Sequence, residues 1–202
     1  MGSRDLVLAR VRANLPPAEP LPALPDFHRA AASPWDAFTA ALTRMGGAVG
    51  TPAPGQSLDA WLRDAFPGAR VMCSAVPEAG GTRRLDPALA PATLDDVDVG
   101  VVRAAFGIAE TGSVALSERE LGVNALGFLS QHLVVLLDPA CILPDLHHAY
   151  RERAFFDAGY AALMTGPSAT ADIEGVLVRG AQGIRTLTVV AMPHQNNQRG
   201  IR

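Results

Sequence analysis

The chain has 202 residues, 49 % of them hydrophobic and 18 % charged, with a formal net charge of −3. These values suit one globular domain with an appended arm, and they exclude the strongly basic surface typical of nucleic-acid binding. No apolar run approaches the roughly 20 residues of a bilayer span, and the first residues lack the apolar core of a signal peptide. We therefore expect a cytoplasmic protein.

The basic residues and the cysteines narrow the chemistry further. All 17 basic residues are arginine, which excludes a Walker-type phosphate lysine, a Schiff-base lysine and a pyridoxal site. Cys73 and Cys141 lie in apolar stretches, which favours buried thiols over a disulfide, and two cysteines are too few for an iron–sulfur cluster. No histidine and cysteine set has metal-ligand spacing, and neither GxGxxG nor GxSxG occurs. We expect this chain to hold no metal and no cofactor.

The first third of the sequence predicts an arm and the start of a layered domain. Apolar residues among arginines predict an amphipathic helix over Asp5–Asn14, and the proline-rich stretch Leu15–Pro34 predicts an extended linker. Residues 1–34 are thus read as the arm. After it, helical spacing, Gly-Gly and Pro-Gly stops and short apolar runs predict a helix over Trp35–Met45, a strand at Ala48-Val49, a helix over Leu58–Ala65 and a strand over Arg70–Ser74.

The remaining sequence predicts strands that alternate with helices. Apolar runs predict strands at Val99–Ala104, Ser113–Leu116, Leu133–Asp138, Ala161–Met164 and Thr186–Ala191, with helices at Pro144–Phe155 and Ala169–Val178. The all-apolar run from Leu133 to Leu137 is typical of a parallel strand that is covered on both faces. The pattern predicts an α/β domain over residues 35–193 with a mainly parallel sheet, followed by a polar tail at 194–202.

A first candidate site lies where the predicted strand Ala161–Met164 ends. Thr165, Gly166 and Ser168 read as a tight turn into a helix, and a helix start offers free amides and a positive dipole end to an anion. Thr170 and Asp172 would lie in the first turn. Alternatively, Ser168 is a plain helix cap and the nearby acidic residues favour the helix dipole; residue types alone leave both interpretations open.

A second candidate site is formed by Glu110, Thr111 and Gly112 between two strand-like segments. Glu110 could act as a base, a nucleophile or a hydroxyl acceptor, or it could be a solvated turn residue. Because both clusters follow strands, we predict that they share a cleft at the carboxyl ends of neighbouring strands. His132 precedes the buried strand and is either a strand-end cap or a pocket residue.

These segments resemble a known family. Ile108–Leu116 (IAETGSVAL), Phe128–Leu137 (FLSQHLVVLL) and Thr165–Glu174 (TGPSATADIE) are similar to successive blocks of the LUD (lactate utilisation) domain family, in its short LutC or YkgG type. The opening Arg4–Arg12 also resembles that family's N-terminal helix. The resemblance implies a NagB/RpiA/CoA-transferase-like fold, a three-layer α/β/α sandwich. It also implies a cytoplasmic protein that supports oxidation of L-lactate to pyruvate, with iron–sulfur clusters only in partner subunits.

The chain departs from the family pattern at Gln182 and Ile184, where the family usually has His and Pro. Gln182 is therefore a further candidate, and the ligand-binding set comprises Thr111, Gly112, His132, Gly166, Ser168, Thr170, Asp172 and Gln182, with Glu110 as the candidate catalytic residue. A lactate-utilisation component with a pocket for a small carboxylate or phosphorylated ligand is the leading interpretation. A stand-alone CoA-transferase-like or sugar-phosphate-isomerase-like enzyme using Glu110, and a non-catalytic ligand-binding scaffold, remain alternatives.

Overall fold

A computed structural model describes residues 2–17, 19–23, 25, 33–88 and 90–194. The predicted N-terminal helix is present as α1 (Ser3–Ala13), and none of its residues is buried. The predicted linker falls partly on residues outside the described ranges, as does the predicted tail from residue 195 onward. No helix of the described part is both long and apolar enough to cross a membrane.

The predicted helices and strands of the first half are confirmed with small shifts at their ends. In chain order they are α2 (Pro34–Arg44), β1 (Ala48–Gly50), α3 (Leu58–Ala65), β2 (Met72–Ser74) and, after a two-residue strand β3 (Arg83–Arg84) that was not predicted, β4 (Val99–Arg103). Both helices begin at a serine cap: the Ser33 hydroxyl accepts from the Asp36 amide, and the Ser57 hydroxyl accepts from the Ala60 amide, each at 3.2 Å. Such caps satisfy amides that the first helical turn leaves without partners.

The second half contains more strands and shorter helices than the sequence predicts. In chain order they are β5 (Phe106–Ile108), β6 (Ser113–Ser117), α4 (Glu118–Leu121), α5 (Leu126–Leu129), β7 (His132–Leu137), β8 (Ile142–Leu143), α6 (Leu146–Ala149), α7 (Arg153–Phe156), β9 (Ala161–Met164), β10 (Ala169–Ile173), β11 (Val176–Arg179) and β12 (Thr186–Ala191). The single helix predicted over Pro144–Phe155 is two short helices, α6 and α7. Asp145 caps the first of them through the His148 amide, at 2.9 Å.

A six-stranded sheet forms the centre of the domain, in the order β1-β12-β7-β4-β2-β3, and every neighbouring pair is parallel. The run Leu133–Leu137 on β7 is fully buried, as predicted for a strand covered on both faces. Val134 and Leu136 pack with Leu58 and Leu62 of α3 on one face. Leu133, Val135 and Leu137 pack on the other face, with Phe38 and Leu42 of α2 and with Val114 and Leu116 of β6. These layers confirm the mainly parallel α/β/α fold.

A second sheet, in the order β8-β5-β6-β9, covers part of the α2 face. Its strands β5 and β9 are both antiparallel to β6, which lies between them. The carboxyl ends of β5 and β9 therefore lie at the same edge of this sheet. The far face of the sheet packs against α6 and α7 through Phe106, Ile108, Ala149 and Phe155.

The helix predicted over Ala169–Val178 is wrong, because these residues form the antiparallel hairpin β10–β11. Glu174 and Gly175 make the turn with φ values of 54° and 70°. Two consecutive positive φ angles close a two-residue hairpin and end any right-handed helix. The acidic residues of this segment therefore do not lie in the first turn of a helix.

Candidate functional site

The turns that follow β5 and β9 meet under the end of α2. A chain of hydroxyl contacts joins them, with 2.7 Å between the Thr111 and Ser113 oxygens and 2.5 Å between the Ser113 and Thr165 oxygens. Gly112 and Gly166 both have positive φ and lie against the α2 end: a Cβ atom on Gly112 would be 2.2 Å from the Leu42 nitrogen, and one on Gly166 would be 2.6 Å from the Met45 oxygen. The two sequence clusters thus share an edge, which is an edge of the second sheet.

Glu110 faces away from this junction. Its carboxylate accepts a hydrogen bond from the Leu146 amide at 3.1 Å, at the start of α6. Leu146 follows β8, and β8 and β9 are at opposite ends of the second sheet. Glu110 therefore caps α6 on the β8 side, while Thr165 and Gly166 lie on the β9 side. Its catalytic role stays a prediction.

The anion site predicted at Ser168 required a helix that begins there, but Ser168 is followed by strand β10. The Ser168 amide donates to the Ile184 carbonyl at 3.0 Å, and the Ser168 carbonyl accepts from the Gly180 amide at 2.6 Å. Ser168 is thereby fixed to the loop that contains Gln182, whose side chain is exposed. Thr170 donates to the Asp172 carboxylate at 2.8 Å on the exposed hairpin. No free helical amides are available to an anion here, so the physical argument for binding at a helix start fails.

His132 lies elsewhere, in a cleft at the amino ends of the central strands. The cleft has a volume of about 650 Å³, and Trp61, Phe66, Asp98 and Arg185 also line it. The His132 Nδ1 atom is 2.8 Å from the Thr186 hydroxyl oxygen, and its ring centre is 5.1 Å from that of Phe66. Burial, followed by the nearby charge of Arg185, lowers the pKa of His132, and the charge of Asp98 opposes this shift. The imidazole is thus held toward its neutral form.

Asp98 is the anionic wall of this cleft, and its carboxylate is already engaged. One of its oxygens accepts from the amides of Arg70 and Val71, at 2.7 and 2.9 Å. These hydrogen bonds lower the pKa of Asp98, since they stabilise the ionised carboxylate. Asp98 therefore stays ionised, and Arg185 is the cation that faces its charge across the cleft.

A group of ionisable side chains at the opposite edge of the central sheet was not predicted from the sequence. Asp138 directly follows β7, Cys141 ends the short turn after it, and His194 follows β12. One ligand-type atom from each lies within 4.8 Å of the others, and among the described residues these three could hold a metal ion. Asp138 directly follows a buried strand, and this position at a strand end could have indicated it as a candidate site residue from the sequence. The contribution of His194 requires the pairing of β12 with β7.

Hydrogen bonds fix the carboxylate of this group in place. Asp138 is 4 % exposed, and its two oxygens accept from the amides of Ala140 at 2.9 Å and His194 at 3.0 Å. Burial opposes its ionisation, but these amides and the charges of His194 and Arg103 outweigh burial, so the pKa of Asp138 lies below its usual value. Burial, together with the charge of Asp138, raises the pKa of the Cys141 thiol. Cys73 and Cys141 are both free thiols, as predicted, but only Cys73 is buried; the prediction that Cys141 is buried is wrong, because this residue is half-buried at the end of the turn after β7.

The parallel central sheet, with candidate sites at both ends of its strands, defines the chain as an α/β protein. Comparisons with known proteins identify its family. The LUD domain family matches residues 90–192, about half of the chain, and the chain belongs to this family. It is 27 % identical over 132 residues to lactate utilization protein C of Geobacillus kaustophilus, covering 62 % of this chain and 52 % of that protein. It is 30 % identical over 100 residues to an uncharacterised protein of Neisseria meningitidis serogroup B, covering 48 % and 43 %.

A solved structure supports the same fold. The crystal structure of a DUF162 family protein from Deinococcus radiodurans matches 78 % of this chain and 95 % of its own, with a TM-score of 0.56 at 19 % identity. At that identity the likeness concerns the fold alone. The chain spans about half the length of the curated relatives it matches.

Proposed function

We propose that this protein is a LutC-like component of a cytoplasmic lactate-utilisation system and supports oxidation of L-lactate to pyruvate together with iron–sulfur partner subunits. The similarity to lactate utilization protein C is the observation that supports this role most directly. The redox centres are assigned to the partners because Cys73 is buried on β2, which leaves Cys141 as the one accessible thiol of this chain. An iron–sulfur cluster normally takes four thiolates.

The part of this chain in the proposed function is to bind a small carboxylate in the His132 cleft. Arg185 supplies a fixed positive charge, and the neutral imidazole of His132 can hydrogen-bond to a carboxylate or hydroxyl oxygen. Trp61 and Phe66 contribute an apolar wall with their rings edge to face at 6.4 Å. A short hydroxy or oxo acid has the same two parts, an anionic end and an apolar end.

A growth experiment tests the role in lactate utilisation. The gene is deleted in its own host, and growth on L-lactate is compared with growth on pyruvate. We expect loss of growth on L-lactate alone, restored by the wild-type gene. Unimpaired growth of the deletion strain on L-lactate would overturn the proposed function. Co-expression with the iron–sulfur subunits and gel filtration then tests whether a complex forms.

Variants in the same strain test the pocket separately. Arg185→Met and His132→Gln should each slow growth on L-lactate, and each should weaken binding of L-lactate to the purified chain at least about tenfold, the factor that corresponds to about 1.4 kcal/mol. Arg153→Met is the matched control, because the Arg153 side chain is 90 % exposed. Wild-type growth of both cleft variants would place the ligand elsewhere while leaving the lactate role intact.

Glu110→Gln in this strain tests the alternative of a stand-alone enzyme. The amide oxygen can still accept from Leu146, so the fold should persist. If Glu110 is a base or a nucleophile, the strain with this variant should not grow on L-lactate although the protein is folded. Growth at the wild-type rate would leave Glu110 with the capping role alone.

A further inference from the structure

We propose a second site, a zinc-type metal centre formed by Asp138, Cys141 and His194 at the carboxyl edge of the central sheet. It goes beyond the proposed function and does not depend on it. It also departs from our expectation that the chain holds no metal. That expectation rested on spacing along the sequence, whereas β7 and β12 bring these three residues together in space.

The donor atoms are of the right kind and nearly at the right separation. A thiolate, an imidazole and a carboxylate are the ligands that Zn²⁺ prefers, and three protein ligands leave a fourth position open to water or a substrate oxygen. Metal–ligand bonds of about 2.0 to 2.3 Å place tetrahedral ligand atoms about 3.5 Å apart. The three atoms here already lie within 4.8 Å of one another, so closure by about 1 Å forms the site.

The surroundings support such a centre. The Asp138 carboxylate is held by the amides of Ala140 and His194, which is the outer-shell support that fixes metal ligands in proteins. The position of His194 is also fixed, because Arg103 donates to the Met192 carbonyl at 2.7 Å two residues before it. Arg103 is the cation that would repel a metal ion, and Glu78 pairs with it at 2.5 Å.

Charge balance is complete within the cluster. Zn²⁺ displaces the Cys141 thiol proton to solvent, and the thiolate and the Asp138 carboxylate then neutralise the two charges of the ion. Binding therefore releases about one proton per metal ion. The site lies where α/β sheets bind their ligands, beyond the carboxyl ends of the strands, so the open position would take water or an oxygen of a carboxylate ligand.

Cobalt and zinc titrations of the purified full chain, stripped with a chelator, test the proposal. We expect one Zn²⁺ per chain by calorimetry, with release of about one proton across buffers of different ionisation enthalpy. Co²⁺ should give a thiolate-to-cobalt charge-transfer band and the intense visible bands of four-coordinate cobalt. A Co²⁺ complex without the charge-transfer band would overturn the proposal.

Variants assign the ligands. Cys141→Ser should abolish the charge-transfer band. Asp138→Asn and His194→Gln should each weaken Zn²⁺ binding at least about tenfold, because even the loss of a residue that only supports a metal ligand costs about that much. Cys73→Ser is the matched control and should keep the band. Equal behaviour of the two cysteine variants would refute the assignment.

One readout on the wild-type chain avoids any dependence on folding of the variants. Zn²⁺ should slow alkylation of Cys141 by a maleimide at least about tenfold, because coordination draws electron density from the thiolate sulfur, which is the nucleophile, and shields it from the reagent. Mass spectrometry identifies the labelled cysteine. An unchanged alkylation rate at saturating Zn²⁺ would contradict the proposed site.

Discussion

Arg103 on β4 forms an ion pair with Glu78, with 2.5 Å between Nη2 and Oε1, and the two side chains are only 13 % and 14 % exposed. A second nitrogen of Arg103 donates to the Met192 carbonyl after β12. One side chain thus ties the segments that follow β2 and β12 to the end of β4. The other Glu78 oxygen is buried without a hydrogen-bond partner among the described residues, so Arg103 is the main compensation for this carboxylate.

We predict that Arg103→Met lowers the free energy of unfolding by about 3 kcal/mol, because it leaves the Glu78 charge buried and unpaired. Adding Glu78→Gln to this variant should recover part of the loss, since the unpaired charge is then removed. Urea denaturation measures both effects. The exposed control Arg153→Met should change stability by less than about 0.5 kcal/mol. Additive losses in the double variant would argue against direct pairing.

Gly112 should be intolerant of any side chain. Gly112→Ala places a Cβ atom 2.2 Å from the Leu42 nitrogen at a φ of +69°, whereas Gly55→Ala, at a φ of +79°, meets nothing within 4 Å. We expect Gly55→Ala to cost about 1 kcal/mol for the left-handed backbone and Gly112→Ala at least about 3 kcal/mol, because helix α2 must also move. Thermal and urea unfolding compare the two. Similar losses would mean that α2 does not pack on this turn.

The hairpin turn offers a stabilising substitution. Glu174 has a φ of 54°, the one positive φ at a non-glycine among the described residues. Asn-Gly is the preferred pair for a two-residue turn with two positive φ angles, so Glu174→Asn should raise stability by about 0.5 to 1 kcal/mol. Glu174→Gln removes the charge but keeps the backbone cost, and it should have little effect. If both variants stabilise equally, the cause is charge.

The depressed pKa of His132 should make stability depend on pH. A histidine whose pKa is lower in the folded state than the unfolded value of about 6.5 binds protons more tightly when unfolded. The contribution of His132 to the free energy of unfolding is therefore complete above the unfolded pKa, and it declines as the pH falls toward the folded pKa. Urea unfolding of wild type and His132→Gln from about pH 8 to about pH 5 isolates this part. A constant difference between the two proteins over that range would contradict the prediction.

The sequence predictions were correct where short-range signals fix the structure, and they were wrong where pairing between separate segments fixes it. The serine-capped helices at Pro34 and Leu58 and the apolar run Leu133–Leu137 have strong local signals, and all three were found. The segment Ala169–Val178 was assigned as a helix because Gly166 and Ser168 before it read as a tight turn into a helix start. Its hairpin depends on pairing with Val176–Arg179 through Glu174, which is not a typical turn residue for positive φ.

Short windows of the sequence were enough to predict the α/β class, the buried parallel strand and the LUD family, because helix caps, apolar periodicity and family motifs are local features. Long-range pairing places β5 and β9 on either side of β6, so that Ser113 and Thr165 join the turns that follow β5 and β9 while Glu110 turns to Leu146. It also decided that Asp138, Cys141 and His194 converge. Both outcomes depend on strand pairing, because hydrogen bonds and packing between distant segments select the neighbours in a sheet, and no local sequence pattern encodes that selection.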